Sequence, residues 1–586
     1  MDKIRKNRSY IVLFICFLVL LWRSFKGFCW TDESFYVSTA DRFFKGDIPL
    51  VDEWFRTQMS SVLMLPFYAL YVLIAGSNEG VILFFRILYL LLATGVALLN
   101  HHVIGKDYPE GVATVSSLFI MCYAHLNVAT FSYYMLSVIL LIAALLLIYD
   151  QRCTTRPGIL VVAGVFIALS VMCMPVFAVG YVLFLVLAAL AVLIAKSSRI
   201  SERIKSVIGR MKLWDVIRYT MAGIMIPAAL VIVFILGRAG ISGLIKTLPY
   251  ALVDNEHRNT FGYFIRKPHR CLTEVYGLSV YCSYTLIAVS FLFQKILKKH
   301  PFCETVAALS FAVFVIQAVL SRGHTGYIQV AFFLFVIPVF FVSEKKNNGL
   351  FWLMFVPAAL VALIYCFSSS DFLYVMAIGC FVSSGAGVCV LYDFAKGNTE
   401  TAGQGYDKLM KALASAVTIA AVFAVAVTLF LRIRNVYRDA PLDELTCKIT
   451  SGVARGLYTT EEHLRQYTQV YDVIDEYCTG TGNVMFSKIL PWGYAATDMR
   501  CGFPTTWRST AYDAGQLDVY YSMHPLRQPD VIVVLDEEYG SYDAAGDVED
   551  DHNPNLDGMS DYWKEYIGSR NMKETEVTCG RVYITY

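Results

Sequence analysis

Runs of close to twenty consecutive apolar residues recur along most of this chain, and no other feature narrows its possible folds as much. A helix needs about 20 apolar residues to cross the hydrocarbon core of a bilayer, and in lipid only helices and closed barrels satisfy their own backbone groups. Such runs fall near residues 10–29, 80–103, 111–127, 130–149, 158–174, 176–195, 217–236, 278–295, 302–320, 327–343, 349–367, 372–392 and 412–431. They predict an all-α polytopic domain over residues 1–431 with about thirteen transmembrane helices. Residues 60–75 are also apolar, but the stretch is short and contains Pro66, so it reads as a half-buried or interfacial helix. Only 16% of the chain is charged, against roughly 25% in a soluble domain. The charge gathers after Arg432, where Asp, Glu, Gly and Tyr replace the apolar runs. The net charge of +2 therefore sums a basic membrane part and an acidic water-soluble domain over residues 432–586.

Cytoplasmic loops collect Lys and Arg. The N-terminus carries Lys3, Arg5, Lys6 and Arg8, and alternate loops carry Lys106, then Arg152 and Arg156, then a run from Lys196 to Arg218. Lys295, Lys298 and Lys299, then Lys345 and Lys346, then Lys396, Lys408 and Lys411 continue the alternation. The intervening short loops near His125, Met174 and Ser369 carry neither residue, and the one near Gly323 carries Arg322. This pattern predicts a plasma-membrane protein with its N-terminus cytoplasmic and the domain after residue 431 extracytoplasmic. Arg23 and Lys26 break it, because they lie at the outer end of the first span. They either snorkel to headgroups or point into the protein. A basic start and an apolar stretch also describe a signal peptide, but Phe28-Cys29-Trp30-Thr31 offers no small-residue cleavage site, and an uncleaved anchor is expected.

Three segments outside the membrane are long enough for chemistry: residues 30–60, residues 237–277 and everything after Arg432. In the last, β-branched runs at 483–486, 530–535 and 581–586 alternate with amphipathic stretches such as 461–477, which predicts a small α/β domain. Its Cys447, Cys478, Cys501 and Cys579 could pair in three ways, although their spacing matches no familiar framework.

The most informative residues follow the first span: Trp30-Thr31-Asp32-Glu33-Ser34-Phe35-Tyr36. Two adjacent carboxylates where a chain leaves the bilayer are costly unless used or paired. One reading is a solvated helix start, with Thr31 or Asp32 capping and the acids complementing the helix dipole. The other is a carboxylate acting as general base on a hydroxyl at the membrane–water boundary.

Beyond that pair come Ala40, Arg42, Gly46-Asp47-Ile48-Pro49, an amphipathic stretch with Pro66, Gly76-Ser77-Asn78-Glu79 and then Phe85-Arg86-Ile87-Leu88. This order resembles the GT-C class of membrane glycosyltransferases, which includes the protein O-mannosyltransferases, the lipid A aminoarabinose transferases and the Rgt-related bacterial sugar transferases. The resemblance is closest over residues 1–150 and extends through span count and topology to about residue 431. It implies transfer of a sugar from a polyprenyl-phosphate donor to a hydroxyl of a glycan, lipid or protein acceptor at the outer face of the bilayer. On this reading Asp32 is the base and Glu33 the second candidate. The departing phosphate needs positive charge nearby, for which Arg86, then Arg258, Arg266, Lys267 and Arg270 of the long outer loop, and Arg322 with His324, are the candidates. Tyr36, Arg56 and Gln58 are candidates for the acceptor side. Many relatives carry a Lys-Pro-Pro-like stretch where this chain has Arg56-Thr57-Gln58, a departure that bears on which sugar or acceptor is handled.

No cofactor is implied, and a divalent metal is not indicated. The run Asp551-x-Asn553-x-Asn555-x-Asp557 spaces oxygens as a calcium loop does, but position six is Leu556 and no Glu completes the site. No Walker loop, His-Glu-x-x-His or Cys-x-x-Cys occurs, and nothing points to nucleic acid. A transporter or lipid flippase is the rival function, but internal repeats and mid-span acids, its usual marks, are missing or nearly so. A non-catalytic envelope scaffold is the third reading.

Overall fold

Each apolar run among the described residues of the membrane part folds as a helix. The computed structural model describes residues 2–152, 155–194, 213–253, 262, 266, 267, 269, 285, 325–339, 347–368, 375–400, 407–487, 489–509, 511–536, 538–540 and 560–585. In the membrane part these form α1 (Asp2–Ser24), α2 (Asp32–Phe44), α3 (Met59–Ala75), α4 (Val81–Ile104), α5 (Glu110–Cys122) and α6 (Tyr133–Asp150). They continue as α7 (Pro157–Cys173), α8 (Phe177–Ile194), α9 (Leu213–Ala251), α10 (Thr325–Val339), α11 (Asn348–Ser368), α12 (Met376–Glu400) and α13 (Asp407–Arg434). Among the described residues six helices are long and apolar enough to cross a membrane, and α3, α5 and α7 are shorter apolar helices. The expected spans at 278–295 and 302–320 lie outside the described residues, apart from Thr285.

One expectation needs correcting. The segment from Gly237 is helical as far as Ala251, with a break at Gly240, where φ is +65°. Residues 241–251 thus form a second helical piece that carries Tyr250 over the first outer loop, where it stacks on Trp54 at 4.8 Å.

Within lipid, helices gain by close backbone approach rather than by hydrophobic exclusion. The α7–α9 crossing shows this: a Cβ on Gly164 would lie 2.1 Å from the Thr220 carbonyl oxygen, and one on Gly223 would lie 2.0 Å from that of Val161.

Helix ends separate into two sets. At one end Lys106 pairs with Asp150, Arg152 pairs with Asp107 at 2.8 Å, and Tyr108 donates to Asp393 at 2.8 Å. These are loops that charge counting assigns to one side. At the opposite end meet the C-terminal ends of α1 and α13, the start of α4 and the α5–α6 connection. Both ends of α3 belong to this second set, since Ser61 donates to the Tyr36 carbonyl and Glu79, just past its end, pairs with Arg455. The chain therefore enters and leaves α3 at the same end of the bundle, as an interfacial helix does.

After α13 come β1 (Cys447–Lys448), β2 (Tyr458–Thr459), α14 (Glu461–Tyr477), β3 (Asn483–Phe486), α15 (Pro491–Ala495) and β4 (Arg500–Cys501). The domain ends with α16 (Ala514–Met523), β5 (Val531–Leu535), α17 (Asp561–Ser569), β6 (Lys573–Val577) and β7 (Gly580–Ile584). The main sheet has the order β4-β3-β5-β7-β6, with β3 parallel to β4 and β5, and β7 antiparallel to β5 and β6. Central β3 and β5 are buried along their whole length, in keeping with the apolar sequence of β5 and of β3 after Asn483. Thr460 caps α14 by accepting from the His463 amide, and Asp513 with Gln516 forms a capping box on α16. All four cysteines of this region are free.

Charged groups, deeply buried, join this domain to the first outer loop. Arg42 of α2 reaches Asp47 at 2.6 Å and Glu53 at 3.0 Å, and donates to the Asp52 carbonyl at 2.5 Å and the Tyr520 hydroxyl at 3.0 Å. Asp47 also pairs with Arg527, and the Thr506 amide donates to Glu53. Removing one partner from such a network strands a buried charge, at about 3–5 kcal/mol. The domain is thereby a fixed wall of the loop rather than a tethered neighbour.

Candidate functional site

The paired acids at the start of α2 have separate environments. Glu33 faces inward, with its side chain 3% exposed. Its two oxygens receive Nε and Nη2 of Arg86, each at 2.6 Å, in a bidentate pair. The remaining contacts of Arg86 run from Nη1 to the carbonyls of Ser24 (2.9 Å) and Lys26 (3.3 Å). Arg86 lies in the second turn of α4, so this pair ties α4 to α2 and to the end of α1.

Asp32 keeps its side chain 25% exposed. Its Oδ2 accepts from the Tyr437 hydroxyl at 2.9 Å and from the Thr31 hydroxyl at 3.3 Å, and lies 3.7 Å from Nη1 of Arg438. Thr31 occupies the N-cap position of α2 but makes no side-chain capping bond. Its hydroxyl instead accepts from Arg438 at 2.7 Å. Thr31 thus does not cap the helix, while both acids lie in its first turn, each with its own partners. Burial, and then the Asp32 carboxylate, hold the phenols of Tyr36 and Tyr437 well above their usual range, so both stay protonated at neutral pH. The same two causes push the Cys29 thiol up to about 11.

Behind Glu33 is a small cavity lined by Arg23, Ser24, Lys26, Cys29, Glu33, Arg86, Asn127, Arg432 and Tyr437, among others. Its lining holds four cations and one carboxylate, an excess of three positive charges. The carbonyl ends of α1 and α13 reach this cavity and add partial negative charge there. Backbone carbonyls satisfy hydrogen bonds of these cations without neutralising them. Arg23 donates to Lys26 at 2.6 Å, Asn435 at 2.7 Å and Ile433 at 2.9 Å, and Lys26 donates to Leu445 at 2.9 Å. Arg432 reaches Oδ1 of Asn127 at 3.1 Å, and the Asn127 amide donates to Asn435 at 2.6 Å. Leu126 and Asn127 both have positive φ, +50° and +61°, so the α5–α6 connection is bent sharply to bring Asn127 there. At Gly27, where φ is +83°, a Cβ would fall 2.3 Å from Val436, so only glycine lets the end of α1 pass the linker after α13.

Among the residues singled out from the sequence, Asp32, Glu33, Arg86 and Tyr36 come together. Arg86 is engaged by Glu33 rather than standing ready for a ligand. Gln58 is fully buried, and its carboxamide serves its own loop, accepting from Leu50 at 2.7 Å and donating to Glu53 at 2.8 Å and Phe55 at 2.9 Å. Arg56 is half-buried on the same loop. In the long outer loop Arg266 is exposed and Lys267 buried, while Arg258, Arg270, Arg322, His324 and the acidic run at 543–557 lie outside the described residues. The residues that sequence reading did not assign to the site are Arg432, Asn127, Tyr437 and Arg438. Arg23 and Lys26 were visible only as cations at the wrong end of a span, and Arg432 carries the same signal. Among the described residues no group of three or more His, Cys, Asp or Glu is placed to hold a metal ion.

No family model matches the sequence, and no curated protein sequence matches it. Among solved structures the chain is similar to ArnT from Cupriavidus metallidurans bound to undecaprenyl phosphate, with a TM-score of 0.45 and 11% identity over 99% of this chain and 98% of that one. It is also similar to the archaeal oligosaccharyltransferase AglB from Archaeoglobus fulgidus in complex with an inhibitory peptide and a dolichol-phosphate, with a TM-score of 0.43 and 12% identity over 90% of this chain and 69% of that one. The Archaeoglobus fulgidus oligosaccharyltransferase tethered to an acceptor peptide with the NVT sequon gives a TM-score of 0.46 and 11% identity over 91% of this chain and 69% of that one.

Proposed function

We propose that the chain transfers a hexosyl or pentosyl group from a polyprenyl-phosphate carrier to a hydroxyl acceptor of the cell envelope, at the outer face of the membrane, with Asp32 as general base. The observation that supports this reading is the juxtaposition of an accessible carboxylate with a small cavity whose lining carries four cations and one carboxylate. A site lined by more cations than carboxylates favours an anionic ligand. The phosphate monoester released by such a donor is one. In the step, the Asp32 carboxylate takes the proton of the acceptor hydroxyl. Its oxygen attacks the anomeric carbon, and the bond from that carbon to the phosphate oxygen breaks with inversion. The leaving phosphate gains one negative charge, which Arg23, Lys26 and Arg432 are placed to stabilise, while Glu33 holds Arg86 in the same ring of charge.

Water can stand in for the unidentified acceptor, so donor hydrolysis is a sufficient assay. Purified protein is incubated with a panel of nerylneryl-phosphate-linked hexoses and pentoses, and free sugar is measured. At least one donor should turn over, with Asp32→Asn inactive and Arg432→Gln raising donor KM about tenfold or more, as loss of a charged contact implies. Hydrolysis unchanged in Asp32→Asn removes the base assignment. No turnover of any donor, by protein that also fails to bind nerylneryl phosphate, removes the function.

A further inference from the structure

The catalytic carboxylate is held by the segment that leads into the C-terminal domain. Tyr437 and Arg438 stand three and four residues beyond the end of α13, and their side chains reach back across more than four hundred residues of sequence to Asp32 and Thr31. Among the described residues the side-chain contacts of Asp32 fall on one oxygen, Oδ2, which takes the Tyr437 hydroxyl and the Thr31 hydroxyl and faces Arg438. Oδ1 is thereby turned away from them.

The backbone of this linker is pinned in an unusual conformation. Arg438 has φ of +52°, a left-handed value that a non-glycine residue keeps only when its surroundings enforce it. The next residue supplies the enforcement. The Asp439 carboxylate is fully buried and accepts from the amides of Phe28 (2.6 Å) and Ala440 (2.8 Å) and from the Thr459 hydroxyl, and it lies 2.6 Å from Nδ1 of His463. Phe28 belongs to the exit of α1, and Thr459 and His463 belong to β2 and α14. One carboxylate thus fastens the linker to the membrane part and to the C-terminal domain at once.

Resting on the transfer reaction proposed above, we infer that Tyr437 and Arg438 are positioning residues for Asp32, fixing Oδ2 so that Oδ1 is presented to the acceptor hydroxyl. The C-terminal domain is then part of the catalytic apparatus, because its first residues orient the base. Burial keeps the Tyr437 phenol protonated and so available as a donor.

The test uses the full-length protein and the donor-hydrolysis assay with the nerylneryl-phosphate-linked sugar that the wild type turns over. Tyr437→Phe removes one hydroxyl. Arg438→Gly removes the guanidinium while accepting the left-handed backbone, which separates the side chain from its strain. Both should lower kcat about tenfold, the order expected for a lost hydrogen bond to a charged group, with donor KM and the thermal unfolding midpoint unchanged. A rise in KM at constant kcat would assign these residues to donor binding and overturn the inference. So would wild-type kcat in both variants while Asp32→Asn is inactive, an outcome that leaves the proposed function standing. Wild-type turnover by Asp32→Asn would instead remove the base itself, and the positioning role with it.

Discussion

Exchanging each of the two adjacent acids for its amide should damage different properties of the protein. Glu33 is fully buried and receives two 2.6 Å contacts from Arg86, whose guanidinium has no solvent to turn to. Glu33→Gln removes the charge and strands Arg86 in a cavity already rich in cations, a loss of about 3–5 kcal/mol. At roughly 2 cal/mol/K of unfolding entropy per residue, a cooperative unit as large as this chain loses about 2–4 °C in midpoint, and a smaller unit loses more. Asp32→Asn leaves a side chain that still accepts from Tyr437 and loses only a 3.7 Å, partly solvated approach to Arg438. That is worth about 1 kcal/mol at most, close to the resolution of a melting curve. Its effect on turnover should be about 10²- to 10⁴-fold, the usual contribution of a general base, or about 3–5 kcal/mol on the barrier.

Tryptophan fluorescence melts in detergent, run beside donor hydrolysis, separate the two. The expected pattern is Glu33→Gln with a lowered midpoint and Asp32→Asn with a wild-type midpoint and no turnover. Arg86→Lys should fall between wild type and Glu33→Gln in stability, since an ammonium reaches one oxygen of Glu33 at a time and cannot reproduce the fork. The division of roles is refuted if Glu33→Gln melts like wild type but is inactive while Asp32→Asn turns over.

Three further outcomes are expected. His524 has its proton affinity lowered by burial first, and also by Arg42 and Arg527, against the opposing pull of Asp52 and Asp47; its folded value thus lies below its unfolded value of about 6.5, so its stability contribution is complete above that pH and is lost as pH falls. The melting midpoint should drop between pH 7.5 and 5.5 and drop less in His524→Gln, and equal slopes would contradict this. Gly164→Ala should destabilise the α7–α9 crossing by about 1–3 kcal/mol, because its Cβ would sit 2.1 Å from a backbone oxygen, read as a lower midpoint relative to Gly158→Ala, where nothing lies within 4 Å. In a Cys447→Ser background, Glu444→Cys should react with an impermeant maleimide on intact cells and Lys106→Cys only after permeabilisation; the reverse pattern inverts the orientation.

What the sequence disclosed, and what it hid, follows from the range of the interactions involved. Helix α14 and strand β3 have the residue limits that the sequence predicts, because a periodic face and a short apolar run are local signals. Asp32 stood out for the same reason, as a charge at a bilayer boundary. The pairing of Glu33 with Arg86 spans 53 positions, and the contacts of Asp32 with Tyr437 and of Arg23 with Asn435 span 405 and 412. No periodicity encodes such pairs. The helical piece after Gly240 was missed because its Gly, Lys and Pro residues read as loop chemistry, whereas packing of Tyr250 on Trp54 accompanies the helix there.

Arg23, Lys26 and Arg432 all violate the distribution of cations that orients the other loops, and all three converge on one cavity. A cation at the outer end of an apolar helix has two physical outlets, the headgroups or an internal anion. Three such cations, two at the end of α1 and one in α13, meet at one cavity, the arrangement expected of the internal outlet that the proposed reaction uses. The linker that follows Arg432 then goes directly to Asp32. On the proposed reaction, the same few residues that end α13 supply the cavity with charge and Asp32 with its orientation, and the C-terminal domain is built outward from them.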